Sequence, residues 1–323
     1  MSNIENLFSK NEFPWVTPNK HQWDTEKSYP KLSVIVPSYN QDVFLEETLL
    51  SIINQNYPDL ELIVIDGGST DNSVSIIKQY ETHIAYWVSE KDRGQSHAIN
   101  KGLEIATGEW VAWMNSDDCY LEGALYYIFN EIDYHQYDFL HGSCSSGISI
   151  KNRNCVIQEK NYKKAPFQLL LFFLAVKYII PSQSVFIRKS ILAKSGFIDE
   201  HLHYVMDMEW FYRIYKQTDR RFFYKNAICF YRHHVNAKST KDVDLVKEES
   251  KAVAYSKWPD LNVWQRFILK RLIRDEQGLS SFVHYPDNQT IKKAIHTFFK
   301  YPVSALYNKH YWSVLKRVVI ARS

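Results

Sequence analysis

Three short apolar runs set most of the limits on this chain. Lys31–Pro37 (KLSVIVP), Leu60–Ile65 (LELIVI) and Trp110–Met114 (WVAWM) are rich in β-branched or aromatic residues and too short for ordinary helices, so each reads as a strand. Each stops at polar residues: Pro37-Ser38-Tyr39-Asn40, then Asp66-Gly67-Gly68-Ser69-Thr70-Asp71, then Asn115-Ser116-Asp117-Asp118. Helical spacing fills the intervals. Val43–Asn54 carries Phe44, Leu45, Thr48, Leu49 and Ile52 on one face; Asn72–Tyr80 follows Asp71 as its cap; Gln95–Ala106 ends near Gly108. Ile84–Ser89 is a further short strand. Continuous apolar strands alternating with helices specify a parallel sheet covered on both faces. The expected class is α/β, a mostly parallel sheet flanked by helices.

Open α/β sheets place their ligands at the carboxyl ends of the strands. Asn40, Asp66 and the pair Asp117/Asp118 therefore converge on one crevice. Asn-Ser-Asp-Asp alone is good turn composition, and a turn would explain it. Polar residues at three separate strand ends favour a ligand site instead. Two adjacent carboxylates on extended backbone point to opposite sides, so one can bind a divalent cation while the other meets a sugar or ribose. Mg²⁺ and Mn²⁺ suit such hard oxygen donors and complete their shells with phosphate oxygens. The first strand lacks a G-x-G-x-x-G after it, and no Walker A lysine occurs, which disfavours dinucleotide binding and NTPase chemistry. Phosphates here would be held through a metal.

Composition narrows the setting. The 323 residues are 45% apolar, 15% aromatic and 23% charged, as in a globular protein. The net charge of +3 is uneven: residues 261–323 hold 11 Lys/Arg against 3 Asp/Glu, and the rest of the chain is net acidic. Basic segments such as Asn262–Arg274 and Ile291–Arg317 interleave Lys and Arg with Trp, Phe, Leu and Ile, which suits packing on the body or peripheral contact with an anionic membrane better than nucleic acid. Cys119, Cys144, Cys155 and Cys229 have no metal-ligand or redox spacing and read as free thiols of a reducing cytosol. The longest apolar run, Leu169–Val176, is too short to cross a bilayer, and the first residues do not read as a secretory signal. A cytoplasmic protein is expected, at the inner face of the cell membrane where its tail binds there.

The stretches SVIVPSYNQDVFLEETLLSIINQNYPDLELIVIDGGSTDNS and SEKDRGQSHAINKGLEIATGEWVAWMNSDDCYLEGAL resemble the N-terminal half of family 2 glycosyltransferases, which have the GT-A fold. The resemblance is dense over residues 31–127 and thinner over 180–240. It implies that Pro37, Tyr39 and Asn40 belong to a nucleotide-contacting motif, and that Asp66 meets the base with Ser69 in the same turn. It places Asp92, Gln95 and Asn100 in a loop and helix near the phosphates. It gives Asp117 and Asp118 to the metal and donor sugar, with Asp118 as the direct ligand, although Asn115 stands where the family often has aspartate.

The remainder extends this reading. Leu121–Asp133 is expected as a helix, with strands from Asp138–Gly142 and Cys155–Lys160, helices at Pro166–Val176, Lys189–Gly196 and His203–Tyr215, and a last strand at Phe222–Tyr231. An acid at the start of a helix ordinarily serves the backbone N–H groups. The resemblance makes Asp207 the catalytic base, with Glu209 the alternative. Arg232, His234 and Ser239 match a family pattern that adds His234 to the metal site. Residues 1–30 are expected as a surface arm, 31–240 as the GT-A domain and 241–323 as a basic helical extension. The function implied is an inverting, metal-dependent transfer from a nucleotide-sugar, expected as a UDP-sugar with Mn²⁺ or Mg²⁺, to a hydroxyl of a glycan or lipid-linked glycan in bacterial surface polysaccharide synthesis. A non-catalytic nucleotide- or sugar-binding subunit of the same fold is the alternative, and a nucleotidyltransferase ranks below it. No nucleic-acid partner is expected.

Overall fold

The computed structural model describes residues 21–147, 155–157, 180–235, 237, 243–267 and 270. Strands β1 (Leu32–Ser38), β2 (Leu60–Asp66), β3 (Tyr86–Ser89) and β4 (Trp110–Trp113) pair in parallel in the order β3-β2-β1-β4. All residues of β1 and β4 are buried, as continuous apolar runs require when both faces are covered. Helices α1 (Asp42–Ile53), α2 (Ser73–Gln79) and α3 (Gln95–Ile105) make the crossovers. Leu45, Leu49 and Ile52 of α1 and Ile77 of α2 share one core with Val34, Val36, Leu62 and Val64. The alternate residues serve the other face: Ile35 lies so close to Gly102 of α3 that a Cβ there would be 2.5 Å from its Cγ2.

Pro37 lies inside β1, one residue from its end, although proline cannot donate to a ladder. Its register explains why it fits. The Ile35 carbonyl faces β4, accepting the Met114 N–H at 2.9 Å. Alternation turns the backbone of residue 37 to the same side, beyond the last residue of β4. The missing N–H therefore falls where no partner strand exists.

The second half reverses direction. Strands β5 (Cys119–Tyr120), β6 (Phe139–Gly147), β7 (Cys155–Ile157), β8 (Val185–Arg188) and β9 (Arg221–Arg232) extend the sheet in the order β4-β8-β6-β9-β5, with β7 beside β6. The β4–β8, β8–β6, β6–β7 and β9–β5 pairs are antiparallel and β6–β9 is parallel. Only residues 114–118 join β4 to β5, and they contain a turn closed by the Asp118 N–H on the Asn115 carbonyl at 3.1 Å. Four inter-strand steps of about 4.8 Å separate those strands along the sheet. So short a turned connection bridges them because the sheet curls back, and the curl carries the end of β9 to the end of β4.

Several boundaries differ from the sequence expectation. The helix expected over Leu121–Asp133 is one α-turn, Ala124–Tyr126, that passes into a π-turn, Tyr127–Glu131. Gly123 stands just before it at φ +74°, and Cys119–Tyr120 is held as strand by β9, so the helix begins late. Lys189–Gly196 divides into a 3₁₀ turn and Leu192–Ser195, stopped by Gly196 at φ +68°. His203–Tyr215 is helical only from Met206. Trp23 of the N-terminal arm packs edge-on against Tyr29, Tyr57 and Tyr126, and its indole N–H bonds the Gln55 carbonyl at 3.1 Å. Trp15 and the helices expected at Pro166–Val176 and Ile291–Arg317 lie outside the described residues.

Residues 1–166 and 178–246 form one unit, and 167–177 with 247–323 a second. The second unit's described part takes in most of the helix Val243–Ser256, the 3₁₀ turn Trp258–Asp260 and a helical start at 263. That start is a capping box: the Gln265 N–H bonds Asn262 Oδ1 at 2.9 Å, and the Asn262 N–H bonds Gln265 Oε1 at 3.0 Å. No helix among the described residues is long and apolar enough to cross a membrane.

Candidate active site

The ends of β1 and β2 are tied into one loop system. Asp66 is fully buried and accepts from the Gly68 N–H (3.1 Å), the Ser69 N–H (2.8 Å) and the hydroxyls of Ser69 and Ser89 (2.5 and 2.6 Å). Ser69 Oγ in turn accepts the Asn40 N–H at 2.8 Å, and Asn40 Oδ1 accepts the Thr70 N–H at 2.9 Å. Asn40 holds this position at φ +50°, a left-handed conformation that asparagine tolerates. Asp92 closes the third side. A Cβ on Gly67 would lie 2.7 Å from its carboxylate, so a side chain there would push Asp92 aside. The structure thus brings Asn40, Asp66, Ser69 and Asp92 together, with Tyr39 exposed beside them and Pro37 buried in the strand below. Asp66 shapes the turn, and the Ser69 and Ser89 hydroxyls must rotate away before a ligand can take its oxygens.

The two carboxylates after β4 have separate surroundings. Asp118 is buried; its Oδ1 accepts the Arg232 N–H at 2.9 Å, and its Oδ2 accepts amide N–H groups from Gln183 (2.5 Å) and Asn115 (3.1 Å). Burial and the neighbouring Asp117 charge push Asp118 up to about 8, against the pull of these donors. Asp117 stays partly exposed, with Oδ2 2.9 Å from His234 Nε2. His234 also packs on Phe44, ring centroids 4.8 Å apart. Among the described residues no three His, Cys, Asp or Glu are grouped to hold a metal. A carboxylate oxygen and an imidazole nitrogen that converge at this distance do fit an ion that takes its other ligands from phosphate and water. The structure therefore sets Asp117 beside His234 and turns Asp118 inward. Asp118, expected as the direct ligand, is buried and accepts from three donors, while Asp117 is the carboxylate that meets His234.

The helix Met206–Tyr215 reaches the site through Trp210 and Phe211, whose rings lie 5.5 and 5.8 Å from Trp113, the last residue of β4. Asp207 stands three and four residues earlier, on the same helix face and one turn nearer the N-terminus. Glu209 is held by Arg213: Arg213 Nε lies 2.8 and 3.0 Å from the two Glu209 oxygens, and Arg213 also holds the carbonyls of Ser195 and Phe197. Glu209 thus anchors the helix to the preceding loop.

Asn100, expected near the phosphates, has its side chain on a neighbouring loop. It is buried with its amide on Ile198: Nδ2 donates to that carbonyl at 2.9 Å and Oδ1 accepts its N–H at 3.0 Å. Asn100 Nδ2 also reaches Glu200, which pairs with Arg93, and Ser96 bonds the Leu202 carbonyl at 3.0 Å. Asn100 latches α3 to the loop before the Asp207 helix. Gln95 does reach the strand end, donating to Asn115 Oδ1 at 2.8 Å.

Sequence reasoning missed Gln183, Glu47, Thr48 and Ser51 as parts of the site. Gln183 lies in a 3₁₀ turn before β8 and supports Asp118 across 65 residues of chain. The available signal was polar side chains at buried spacing, most visibly Thr48 and Ser51 along α1 and Gln55 just after it. Ser239 of the expected Arg-His-Ser pattern lies outside the described residues.

Comparisons with known proteins agree with the fold that carries this site. The chain is 37% identical over 119 residues to a GalNAc(5)-diNAcBac-PP-undecaprenol beta-1,3-glucosyltransferase of Campylobacter jejuni, a match spanning 36% of this chain and 38% of that protein. It is 26% identical over 256 residues to an uncharacterized glycosyltransferase of Rickettsia prowazekii, covering 76% and 74%. Among solved structures, S. aureus TarS in complex with UDP-GlcNAc aligns with a TM-score of 0.61 at 18% identity, over 85% of this chain and 83% of that one. The mannosyltransferase PcManGT from Pyrobaculum calidifontis, in complex with GDP-Man and Mn²⁺, aligns at 0.51 and 18% identity over 92% of each. These structures share the GT-A sheet described above. The glycosyl transferase family 2 model matches residues 33–194, from β1 through the strand-end carboxylates to Gln183 and β8, and the chain belongs to that family.

Proposed function

We propose that this chain is an inverting, metal-dependent glycosyltransferase that moves a sugar from a UDP-sugar to a hydroxyl of a lipid-linked or surface glycan. The observation that carries the reading is the Asp117–His234 pair at the carboxyl end of β4, next to the loop system of Asn40, Asp66, Ser69 and Asp92. The nucleoside lies over that loop system, against Tyr39 and Asn40. Asp117 and His234 hold Mn²⁺ or Mg²⁺, and Asp118 keeps their turn in place. When bound, the ion offsets negative charge on the departing nucleoside diphosphate.

Asp207 takes the proton of the acceptor hydroxyl as that oxygen attacks the anomeric carbon from the face opposite the leaving group. The bond from the anomeric carbon to the phosphate oxygen breaks, and its electron pair leaves with the diphosphate. Glu209 is a weaker candidate base because Arg213 holds it on both oxygens. The lipid-linked acceptor is supported by the undecaprenol-linked substrate in the name of the Campylobacter relative. The basic segment 261–323 is suited to an anionic membrane where such a substrate resides.

The test is calorimetric titration of UDP, GDP, UDP-GlcNAc and UDP-glucose into the wild-type chain and Asp117→Asn, with Mn²⁺ and then with EDTA. A uridine nucleotide should bind with Mn²⁺, and either EDTA or the substitution should weaken it at least about tenfold. Failure of every nucleotide to bind with metal present rejects the transferase reading in favour of the non-catalytic subunit. Binding of GDP in place of UDP overturns the donor assignment alone.

A further inference from the structure

Helix α1 buries a polar face. Glu47, Thr48 and Ser51 are buried and share one side of the helix, and Gln55, buried too, follows in the turn just past its end. Their partners belong largely to one stretch of chain. Thr48 Oγ1 donates to the Asp118 carbonyl at 2.8 Å, Ser51 Oγ accepts the Tyr120 N–H at 3.2 Å, and Gln55 donates to the Leu121 carbonyl at 3.0 Å while accepting the Leu125 N–H at 3.2 Å. Glu47 pairs with Arg232, which is 1% exposed. The Arg232 guanidinium bonds the Asp117 carbonyl through Nε at 2.9 Å and lies over the Phe44 ring at 4.9 Å. Its backbone N–H bonds Asp118 Oδ1 at 2.9 Å.

So deeply buried an ion pair is poorly explained as a source of stability, since desolvation offsets much of its attraction and apolar residues of similar size usually do as well. Its geometry has a more specific consequence. His234 follows Arg232 by two residues, with exposed His233 between them, so Arg232 and His234 address the same side of the chain. Arg232 grips the backbone of Asp117, and His234 meets the Asp117 side chain. Both contacts join the end of β9 to the turn after β4, two segments that only the curl of the sheet brings together.

We infer that Glu47 and Arg232 are positioning residues that set the separation of Asp117 and His234 for a divalent cation. The inference rests on the reading that those two residues hold the ion. Glu47 reaches across from α1 and fixes the guanidinium plane; the guanidinium then fixes the Asp117 peptide. A lysine at 232 keeps the charge but cannot bond Glu47 and the Asp117 carbonyl with one rigid fork. A glutamine at 47 keeps the shape and loses the charge.

The experiment is titration of Mn²⁺ into the full chain at fixed UDP, with bound ion followed by electron paramagnetic resonance and Mn²⁺–UDP alone subtracted. Wild type, Asp117→Asn, Glu47→Gln, Arg232→Lys and the double substitution at 47 and 232 are compared, each with its melting temperature in EDTA. Glu47→Gln and Arg232→Lys should each weaken Mn²⁺ binding about 10–100-fold, as loss of a residue supporting a metal ligand does. The double variant should lose no more than the worse single one, because the pair acts as a unit. A lower melting temperature with wild-type Mn²⁺ affinity in both single variants overturns the inference and leaves a purely structural pair. Should Arg232→Lys fail to fold, Glu47→Gln decides the matter alone. If the wild-type chain binds no Mn²⁺ beyond UDP alone, the metal reading itself fails and the inference falls with it. If Asp117→Asn weakens binding while the brace variants do not, only the inference fails.

Discussion

Asn115→Asp restores the aspartate that the family often has at this position, and this structure makes it unfavourable. Asn115 works in both directions: its Oδ1 accepts from Gln95 at 2.8 Å and its Nδ2 donates to Asp118 Oδ2 at 3.1 Å. The substitution replaces that donor with an oxygen facing buried Asp118. Two ionised carboxylates about 3 Å apart repel by roughly 5 kcal/mol at an effective dielectric constant near 20. Retaining one proton is the easier course, and Asp118, raised to about 8, already carries one at pH 7 in the wild type. With that proton the pair keeps a hydrogen bond, so below about pH 8 the variant should match the wild type within about 1 kcal/mol. Above that pH the repulsion of roughly 5 kcal/mol sets the ceiling.

The sign follows from proton counts. Each folded protein binds one proton at this site that the unfolded chain releases above about pH 4, so the two lose stability in parallel as pH rises. They part where wild-type Asp118 ionises, near 8, because the variant's pair keeps its proton beyond that point. Urea unfolding of both proteins in EDTA from about pH 5 to about pH 10 measures the difference directly. The gap should stay within about 1 kcal/mol up to about pH 8 and then widen by about 1.4 kcal/mol per pH unit toward the ceiling. A gap that does not change with pH would refute the reasoning: a small one means Asn115 makes no such contact, and a large one means packing dominates.

Asp207→Asn should lower kcat by about 10²–10⁴-fold while leaving donor affinity within a few-fold; an equal collapse of donor binding in calorimetry would show that Asp207 is not simply a base. Gly102→Ala should destabilise by about 1–3 kcal/mol in urea unfolding, because its Cβ would meet Ile35 of β1 at 2.5 Å. Helix propensity alone would have alanine stabilise by about 1 kcal/mol, so the sign of the change decides between the two effects. At the opposite end of the sheet, burial opposes ionisation of Glu61, yet hydrogen bonds from Lys31, Ser33 and Thr107 hold it down to about 2 from 4.5. Its stabilisation is therefore present above pH 4.5 and lost as pH falls toward 2, and in acid titration of stability Glu61→Gln should flatten the curve across that window.

The sequence by itself determined the strands, the crossover helices and the residues at the strand ends. β1, β2 and β4 are buried on both faces, and only apolar, β-branched or aromatic runs satisfy that environment. Asn40, Asp66 and Ser69 were legible because a βαβ connection places them at one end by local rules. The departure at Asn115 was equally visible, though its partners Gln95 and Asp118 were not. What only the tertiary structure decided depends on contacts between distant segments. Whether Asp117 or Asp118 faces His234 is set by a turn and by the curl that returns β9 to β4. That Glu209 is committed to an anchor is set by Arg213, four residues farther along the same helix and bonded to carbonyls of the preceding loop. Asn100 illustrates the limit most directly. Its place on α3 follows from helical spacing, but which neighbour it touches depends on a loop about 100 residues away, and no local period encodes that distance.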